Sequence, residues 1–262
     1  MRKKPNLIDD KKTKQKKNKK GYIWILVIIL FIIAAQVFIL FSPVFNIKYI
    51  NVLGQKKVGS QKIVELSGIC YGQNIFKVNI SKAGQQIKNG EPYIESVKTN
   101  RIFPNSIEMK VSERIPVGAV EYMGSYILVD RNGYALEITT EIKEKNIVDL
   151  RGITLNRVTI GKKISEGEMD KLKTSLCLLG LLEKNNLISK VEYIDVNDTK
   201  NVIIFVDKRL DVKIGSAEEL NSAVLCKYRL DFLKAIIEKI QENQAGRIDL
   251  TADSPVFKPI EY

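Results

Sequence analysis

The strongest constraint on this chain is an uninterrupted apolar run at residues 22–41, which reads YIWILVIILFIIAAQVFILF. The run contains no charged side chain, and Gln36 is its only strongly polar residue. At ~1.5 Å rise per residue, a helix over this run is about 30 Å long, which matches the hydrocarbon core of a bilayer. Because a helix satisfies its own backbone hydrogen bonds in lipid, the run predicts one transmembrane helix. The alternative, a buried core helix, would need a larger domain wrapped around a rod that is apolar on every side.

Charge on the N-terminal side of the run predicts its orientation. Residues 1–20 carry ten Lys and Arg side chains against Asp9 and Asp10, a net charge of +8 out of +12 for the whole chain. Positively charged flanks stay in the cytoplasm, so residues 42–262 are predicted to lie outside the cell membrane. We expect residues 1–21 to form a disordered basic tail that is attracted to anionic membrane lipids. The near-balanced charge of the remainder argues against nucleic acid as a partner.

A cleaved signal peptide is the competing interpretation of the apolar run. Its apolar region usually has about 7–15 residues and ends at a small-x-small cleavage site. Here the run is longer, and Ala34 and Ala35 fall inside it rather than after it. The sequence therefore favours an uncleaved anchor.

The composition argues against most kinds of catalytic site. Because the chain has no histidine, it lacks the commonest general base, the Ser-His-Asp and Cys-His arrangements and the commonest zinc ligand. Cys70, Cys177 and Cys226 are too far apart for metal-finger spacing. They are expected to be small buried side chains, and a Cys177–Cys226 disulfide stays open. No catalytic residue, metal, cofactor or small-molecule substrate is predicted, and a cell-wall hydrolase that uses carboxylates is the alternative.

Residues 43–115 follow one order of elements: strand, helix, helix, strand, strand. The order predicts a three-stranded sheet with two helices on one face, and Ser60 and Ser81 are the expected helix N-caps. Within these residues, NVLGQ, ICYGQNIF, VKTNR and VSERIP resemble the POTRA module of the FtsQ/DivIB family of bacterial cell-division proteins. Arg114 in VSERIP is expected to be a hinge or packing residue between two outer domains rather than an anion site.

Residues 116–251 are predicted to form the second outer domain, and residues 252–262 an extended tail. The stretch LVDRNGYAL resembles the opening of the family's β-rich second domain, and its segment Asp130-Arg131-Asn132-Gly133 predicts a hairpin turn. One helix is predicted after a Ser165/Glu168 capping box, with an apolar stripe made of Met169, Leu172, Leu176, Leu179 and Leu182. A longer helix is predicted after Ser216. The fold class predicted for the whole chain is α+β, with an N-terminal transmembrane helix, a POTRA domain (β-α-α-β-β) and a second mixed β-rich α+β domain. The longer helix is expected to bury an apolar stripe made of Leu220, Val224, Tyr228, Phe232, Ile236 and Ile240.

The resemblance implies a non-enzymatic function. It implies a bitopic scaffold of the divisome, located in the cell membrane at the division septum. Its implied partners are bitopic division proteins of the FtsB/DivIC and FtsL types. By position, RIDLTADS is similar to the family's terminal strand motif. This similarity implicates as partner-binding residues Arg247, Ile248, Asp249, Leu250, Thr251 and Ala252.

Pairing along a sheet edge is the physical mechanism that this position suggests. An edge strand exposes N–H and C=O groups that an added partner strand can satisfy. Pro255 and Pro259 limit how far such a ladder can run. Two alternatives stay open: an ordinary final strand with a protected edge, and a POTRA module that serves polypeptide transport.

Overall fold

The fold is described from a computed structural model of the chain. It describes residues 19–40, 42–142, 146–164, 169–220, 223–241, 243–252 and 256–260. The predicted basic tail therefore lies outside the described residues up to position 18, and helix α1 begins at Lys19. The predicted capping box of Ser165 and Glu168 also lies outside the described residues.

The described chain contains six α-helices and twelve strands. The helices are α1 (Lys19–Leu40), α2 (Ser60–Ser67), α3 (Ile80–Gly90), α4 (Met169–Lys184), α5 (Ala217–Leu220) and α6 (Ala223–Ile237). The strands are β1 (Tyr49–Leu53), β2 (Ile94–Ile102), β3 (Ser106–Glu113), β4 (Pro116–Tyr122), β5 (Ser125–Asp130), β6 (Ala135–Thr139), β7 (Val148–Arg151), β8 (Val191–Asp195), β9 (Val202–Val206), β10 (Leu210–Gly215), β11 (Gly246–Asp249) and β12 (Val256–Pro259).

Helix α1 contains nearly all of the apolar run, and its large apolar side chains between Tyr22 and Phe38 are exposed. It ends before Pro43, because proline disfavours a helical conformation in the residue that precedes it. In the part of the chain that the structure describes, no helix reaches the length and apolarity needed to cross a membrane. The transmembrane span predicted at residues 22–41 is therefore not confirmed.

The first domain has the predicted order of elements. Its three strands pair in the order β1-β3-β2, with β1 parallel and β2 antiparallel to β3. Two helix starts differ from the prediction. Helix α2 follows Gly59 and has no side-chain cap, and α3 follows Asn79, whose side chain accepts a hydrogen bond from the Lys82 N–H. The domain core is made by side chains of both helices and the sheet, among them Ile63, Ala83, Ile87, Ile107 and Met109.

The second domain is built on a nine-stranded mixed sheet in the order β12-β11-β10-β9-β8-β7-β4-β5-β6. Apolar side chains of this sheet form one core with those of helices α4, α5 and α6. The predicted stripe of α4 is confirmed where it is described, because Leu172, Leu176, Leu179 and Leu182 are all buried.

The stripe predicted for the C-terminal helices is confirmed only in part. Leu220 is buried and Phe232, Ile236 and Ile240 pack against the core, but Val224 and Tyr228 are 82% and 66% exposed. The buried apolar side chains of α6 are Cys226, Leu230, Leu233 and Ile237. Residues spaced by four advance about 400° around a helix, so such a row turns by about 40° at each step and does not keep to one face. The spacing of four and three followed by the buried residues compensates for that drift.

The two domains that follow α1 share one apolar cluster. Ala119, Leu128 and Leu136 of the nine-stranded sheet pack in the same cluster as Tyr93 and Ile94 of the first domain. The first domain therefore covers one face of the sheet at the β4-β5-β6 end.

Arg114 joins the two domains. Its backbone N–H donates to the Tyr93 carbonyl (2.7 Å), and its guanidinium donates to Asp130 Oδ2 (2.6 Å) and lies 3.7 Å from the Tyr134 ring centre. Both charged side chains are buried, with 9% and 5% of their surface exposed. The prediction that Arg114 packs between the outer domains is confirmed.

Candidate partner-binding surface

The C-terminal edge of the nine-stranded sheet differs from the prediction. Strand β11 lies between β10, to which it is parallel, and β12, to which it is antiparallel. Residues 256–259, which were expected to belong to an unpaired tail, therefore form the edge strand, and β11 is an inner strand. Proline is tolerated at an edge, because its missing N–H removes no ladder bond when that side faces outward. Pro259 occupies such a place opposite Gly246.

Hydrogen bonding along β11 and β12 shows which backbone groups face outward. The Ile260 N–H donates to the Ala245 carbonyl at 2.9 Å. Because bonded positions alternate along an antiparallel pair, Lys258 also faces β11, and Phe257 directs its N–H and C=O away from it. Pro259 adds a carbonyl on the same outer side. Among the described residues, no strand pairs with this side of β12.

The structure divides the six predicted binding residues between two faces. Ile248 and Leu250 are buried in the core against the helices, so they cannot touch a partner directly. Arg247 and Asp249 lie on the opposite face, and Ala252 is exposed in the turn that follows. Thr251 donates to Asp249 Oδ1 from both its N–H (2.9 Å) and its hydroxyl (2.6 Å).

Arg247 and Asp249 belong to two cross-strand rows on this face of the sheet, which we call the open face. Side chains from both rows, among them Tyr193, Lys213 and Lys258, line a shallow depression of about 500 Å³. The first row runs through Tyr193, Phe205, Asp211, Arg247 and Lys258. The second row runs through Asp195, Ile203, Lys213 and Asp249.

An aromatic pair forms the inner end of the first row. The rings of Tyr193 and Phe205 stack at 5.0 Å, and the Arg151 guanidinium lies 3.8 Å from the Tyr193 ring centre. The Tyr193 hydroxyl donates to Asp211 Oδ1 at 3.2 Å. Burial raises the pKa of Tyr193, and the nearby Asp211 carboxylate raises it further, so the hydroxyl remains a donor at neutral pH.

The charged side chains of the open face are paired only loosely. Arg247 Nε lies 3.8 Å from Asp211 Oδ2, and Lys213 Nζ lies 3.8 Å from Asp249 Oδ2. Partial burial by itself would raise the pKa of Asp249, but the two hydrogen bonds from Thr251 and the charge of Lys213 outweigh it, and this pKa is lowered. The face therefore presents fixed charges of both signs at neutral pH. Such a face is suited to matching a partner surface.

Sequence reasoning missed most of the open face. It identified Arg247 and Asp249, but it did not identify Tyr193, Phe205, Lys213 or Lys258. The available signal was the period-two alternation in VEYID, VIIFV and LDVKI, which places every second residue on one side of a strand. In the part of the chain that the structure describes, no three His, Cys, Asp or Glu side chains are grouped as metal ligands.

Comparisons with known proteins agree with the architecture. The family model for the POTRA domain of FtsQ type matches residues 45–114. The cell division protein DivIB of Clostridium acetobutylicum is 34% identical over 187 residues, which cover 70% of this chain and 73% of that protein.

Two more distant relatives carry names of the same kind. The cell division protein DivIB of Clostridium botulinum (strain Hall) is 28% identical over 251 residues, 95% of each chain. The cell division protein FtsQ of Syntrophotalea carbinolica is 26% identical over 166 residues, 63% of this chain and 57% of that protein. The resemblance noted in the sequence is confirmed, and the chain belongs to the FtsQ/DivIB family of bacterial cell-division proteins.

Proposed function

We propose that this protein is a non-enzymatic scaffold of the bacterial division machinery. It is anchored by residues 22–41 with its N-terminus in the cytoplasm, and it binds bitopic partners of the FtsB/DivIC and FtsL types at the septum. Family membership supports the role in division. The observation that supports the binding mechanism is the position of β12 at the end of the sheet.

A partner segment adds to β12 as a further strand in this proposal. Such a strand satisfies the outward N–H and C=O of Phe257 and the carbonyl of Pro259, and these main-chain bonds supply affinity without sequence preference. Specificity comes from the adjoining open face, where Arg247, Asp249 and Lys258 lie within reach of the partner's side chains. The proposed site therefore keeps Arg247 and Asp249 of the predicted set and shifts the edge from β11 to β12.

Replacing Phe257 tests the edge directly. Phe257→Pro removes the outward N–H and leaves the bonds between β11 and β12 in place, so capture of a DivIC-like partner by the full chain should fall at least about tenfold, as expected for the loss of more than ~1.4 kcal/mol. Phe257→Leu is the matched control, because it loses the same ring but keeps the N–H. Equal capture by the two variants would remove edge pairing from the proposal.

Thiol labelling in cells tests the anchoring and orientation. All three cysteines are free, so Cys177 and Cys226 form no disulfide. Cys226 is buried as predicted, but Cys70 and Cys177, which were also expected to be buried, are exposed on the first and second domains. A membrane-impermeant maleimide should therefore label Cys70 in intact protoplasts of the producing cells. Cys70→Ser, with Cys177 retained, identifies the signal of each position. Labelling that requires cell lysis would reverse the proposed orientation.

Incubating the purified full chain with peptidoglycan separates the scaffold from the hydrolase alternative. The scaffold predicts that no soluble fragments are released, since the chain has no histidine and Asp211 and Asp249 each lie 3.8 Å from a cationic group. Release of fragments that scales with protein concentration would favour the hydrolase.

A further inference from the structure

The first domain carries an exposed apolar patch close to the point where the chain leaves helix α1. We call it the α1-proximal patch and define it as Val44, Phe76, Ile102 and Phe103, whose exposures are 57%, 40%, 49% and 57%. The Phe76 ring packs against Phe45 at 5.1 Å and against Phe103 at 5.3 Å. Three separate chain segments therefore combine their apolar side chains into one exposed surface.

Hydrogen bonds hold these three segments together. The Ile47 N–H donates to the Gln73 carbonyl (2.9 Å), and the Lys48 N–H donates to the Asn105 carbonyl (2.9 Å). Arg101 donates from Nε to the Ile75 carbonyl (3.0 Å) and from its terminal nitrogen to the Val78 carbonyl (2.6 Å). The patch is thus a fixed surface of the domain rather than a set of independent loop tips.

The chain itself places the patch near the end of α1. Helix α1 ends at Leu40, and Phe45 follows five residues later. Since a residue spans at most ~3.6 Å, Phe45 lies within about 18 Å of the end of the apolar helix. Whatever environment surrounds that end of α1 is therefore within reach of the patch.

The charge around the patch has one sign. Segments 42–48, 70–78 and 100–106 contain Lys48, Lys77 and Arg101 and no Asp or Glu. Aromatic rings rimmed by basic side chains are typical of a membrane–water interface, where rings lie at headgroup level and cations attract anionic lipids. A partly apolar, positively charged surface beside an apolar helix therefore matches a lipid headgroup layer in both respects.

We propose that the α1-proximal patch rests in the headgroup layer of the membrane that α1 enters. This contact fixes the tilt of the first domain, which otherwise would pivot about the Ser42-Pro43 connection. The inference rests on the proposed anchoring of residues 22–41. It adds a lipid-binding surface on a domain outside the anchor.

Tryptophan fluorescence of the full chain in lipid nanodiscs tests the contact. Trp24, in α1, is the only tryptophan of the chain, so the native protein reports on the anchor and Trp24→Phe provides a silent background. In that background, Phe103→Trp reports on the patch and Tyr228→Trp, at an exposed position of α6, is the matched control. The nanodiscs contain phosphatidylglycerol and phosphatidylcholine, with or without lipid that carries a nitroxide on its headgroup.

The proposal predicts that nitroxide lipid quenches the Phe103→Trp reporter at least about twofold, because interfacial rings lie among the headgroups. The Tyr228→Trp reporter should be unaffected. Quenching of native Trp24 without quenching of the Phe103→Trp reporter overturns the patch contact and leaves the anchor intact. No quenching of Trp24 overturns the anchor and the inference together. Equal quenching of the two reporters also overturns the inference, because the contact would then not be specific to the patch.

Discussion

The two ends of the nine-stranded sheet present the same face to different surroundings. At the β4-β5-β6 end this face contributes Ala119 and Leu128, and the first domain covers it. At the β8-β12 end the same face carries the charged and aromatic rows of the open face. Register links the two regions, since Ala119 pairs with Asp149, which pairs with Tyr193.

The sequence of each strand reflects this difference. Strand β5 reads SYILVD, and its last four residues are all buried, because both of its faces are covered. Strand β9 reads VIIFV, and its burial alternates between buried and half-buried positions. A strand that is covered on both faces is apolar at successive positions, whereas a strand that is covered on one face alternates between apolar and polar residues. An unbroken buried run in this fold therefore marks a strand that another domain covers, and alternation marks a strand with one open face.

The largest expected effect concerns the buried ion pair at the covered end. Arg114→Leu leaves the Asp130 carboxylate buried without its partner, and we expect the free energy of unfolding to fall by about 3–5 kcal/mol. Urea unfolding of the purified full chain measures this loss. Asp130→Asn is the paired variant, since an amide oxygen can still accept the N–H bonds from Asn132 and Tyr134 that Asp130 Oδ1 accepts now.

The double variant shows whether the two side chains act together. Arg114→Leu with Asp130→Asn should be at least about 1 kcal/mol more stable than the sum of the single losses predicts, because the unpaired charge is gone. Strictly additive losses would mean that Arg114 stabilises the domain junction through its stacking on Tyr134 alone.

Truncation of an apolar side chain should discriminate between the two ends of the face. Leu128→Ala removes a buried side chain from the core shared by both domains, which should cost about 2–4 kcal/mol. Ile203→Ala on the half-buried open face should cost less than about 1 kcal/mol, because less apolar area is lost. The same urea titration measures both variants. A similar loss for the two would contradict the view that only one end is covered.

Much of this architecture could be predicted from sequence because it rests on local periodicity. Apolar spacing predicts the order of strands and helices in the first domain and the buried leucines of α4. Turn chemistry predicts the hairpin at Asp130 and Gly133. The packing of the two domains against each other could not be predicted. A buried leucine such as Leu128 gives the same sequence pattern whether a helix or another domain packs on it. Only the tertiary fold brings Tyr93 to it.

The candidate site was predicted only in part, for a different reason. Strand β12 has four residues with Pro255 before it and Pro259 at its end, so it shows too little alternation to be recognised. Its antiparallel pairing brings residues 256–259 back alongside residues 246–249, and no residue pattern predicted that pairing. The open-face residues of β8, β9 and β10 lie more than 30 residues before Arg247, and only the sheet register brings them together with it.

The smallest expected effect is a pH dependence at the open face. The pKa of Asp249 is lowered below its ordinary value of 3.8, so its hydrogen bonds with Thr251 stabilise the fold fully above that value and lose this effect as pH falls through the lowered pKa. Thr251→Val removes the hydroxyl donor, and the resulting loss should stay below about 1 kcal/mol, because solvent screens this half-exposed carboxylate. Urea unfolding at pH 6 and at pH 3 should show the difference between the two proteins narrowing at the lower pH. In an Asp249→Asn background the same substitution should give a difference that does not change with pH. If the difference in unfolding free energy between the two proteins grew as the pH fell, protonated rather than ionised Asp249 would be the form that Thr251 stabilises. That result would contradict an ionised Asp249 on the open face.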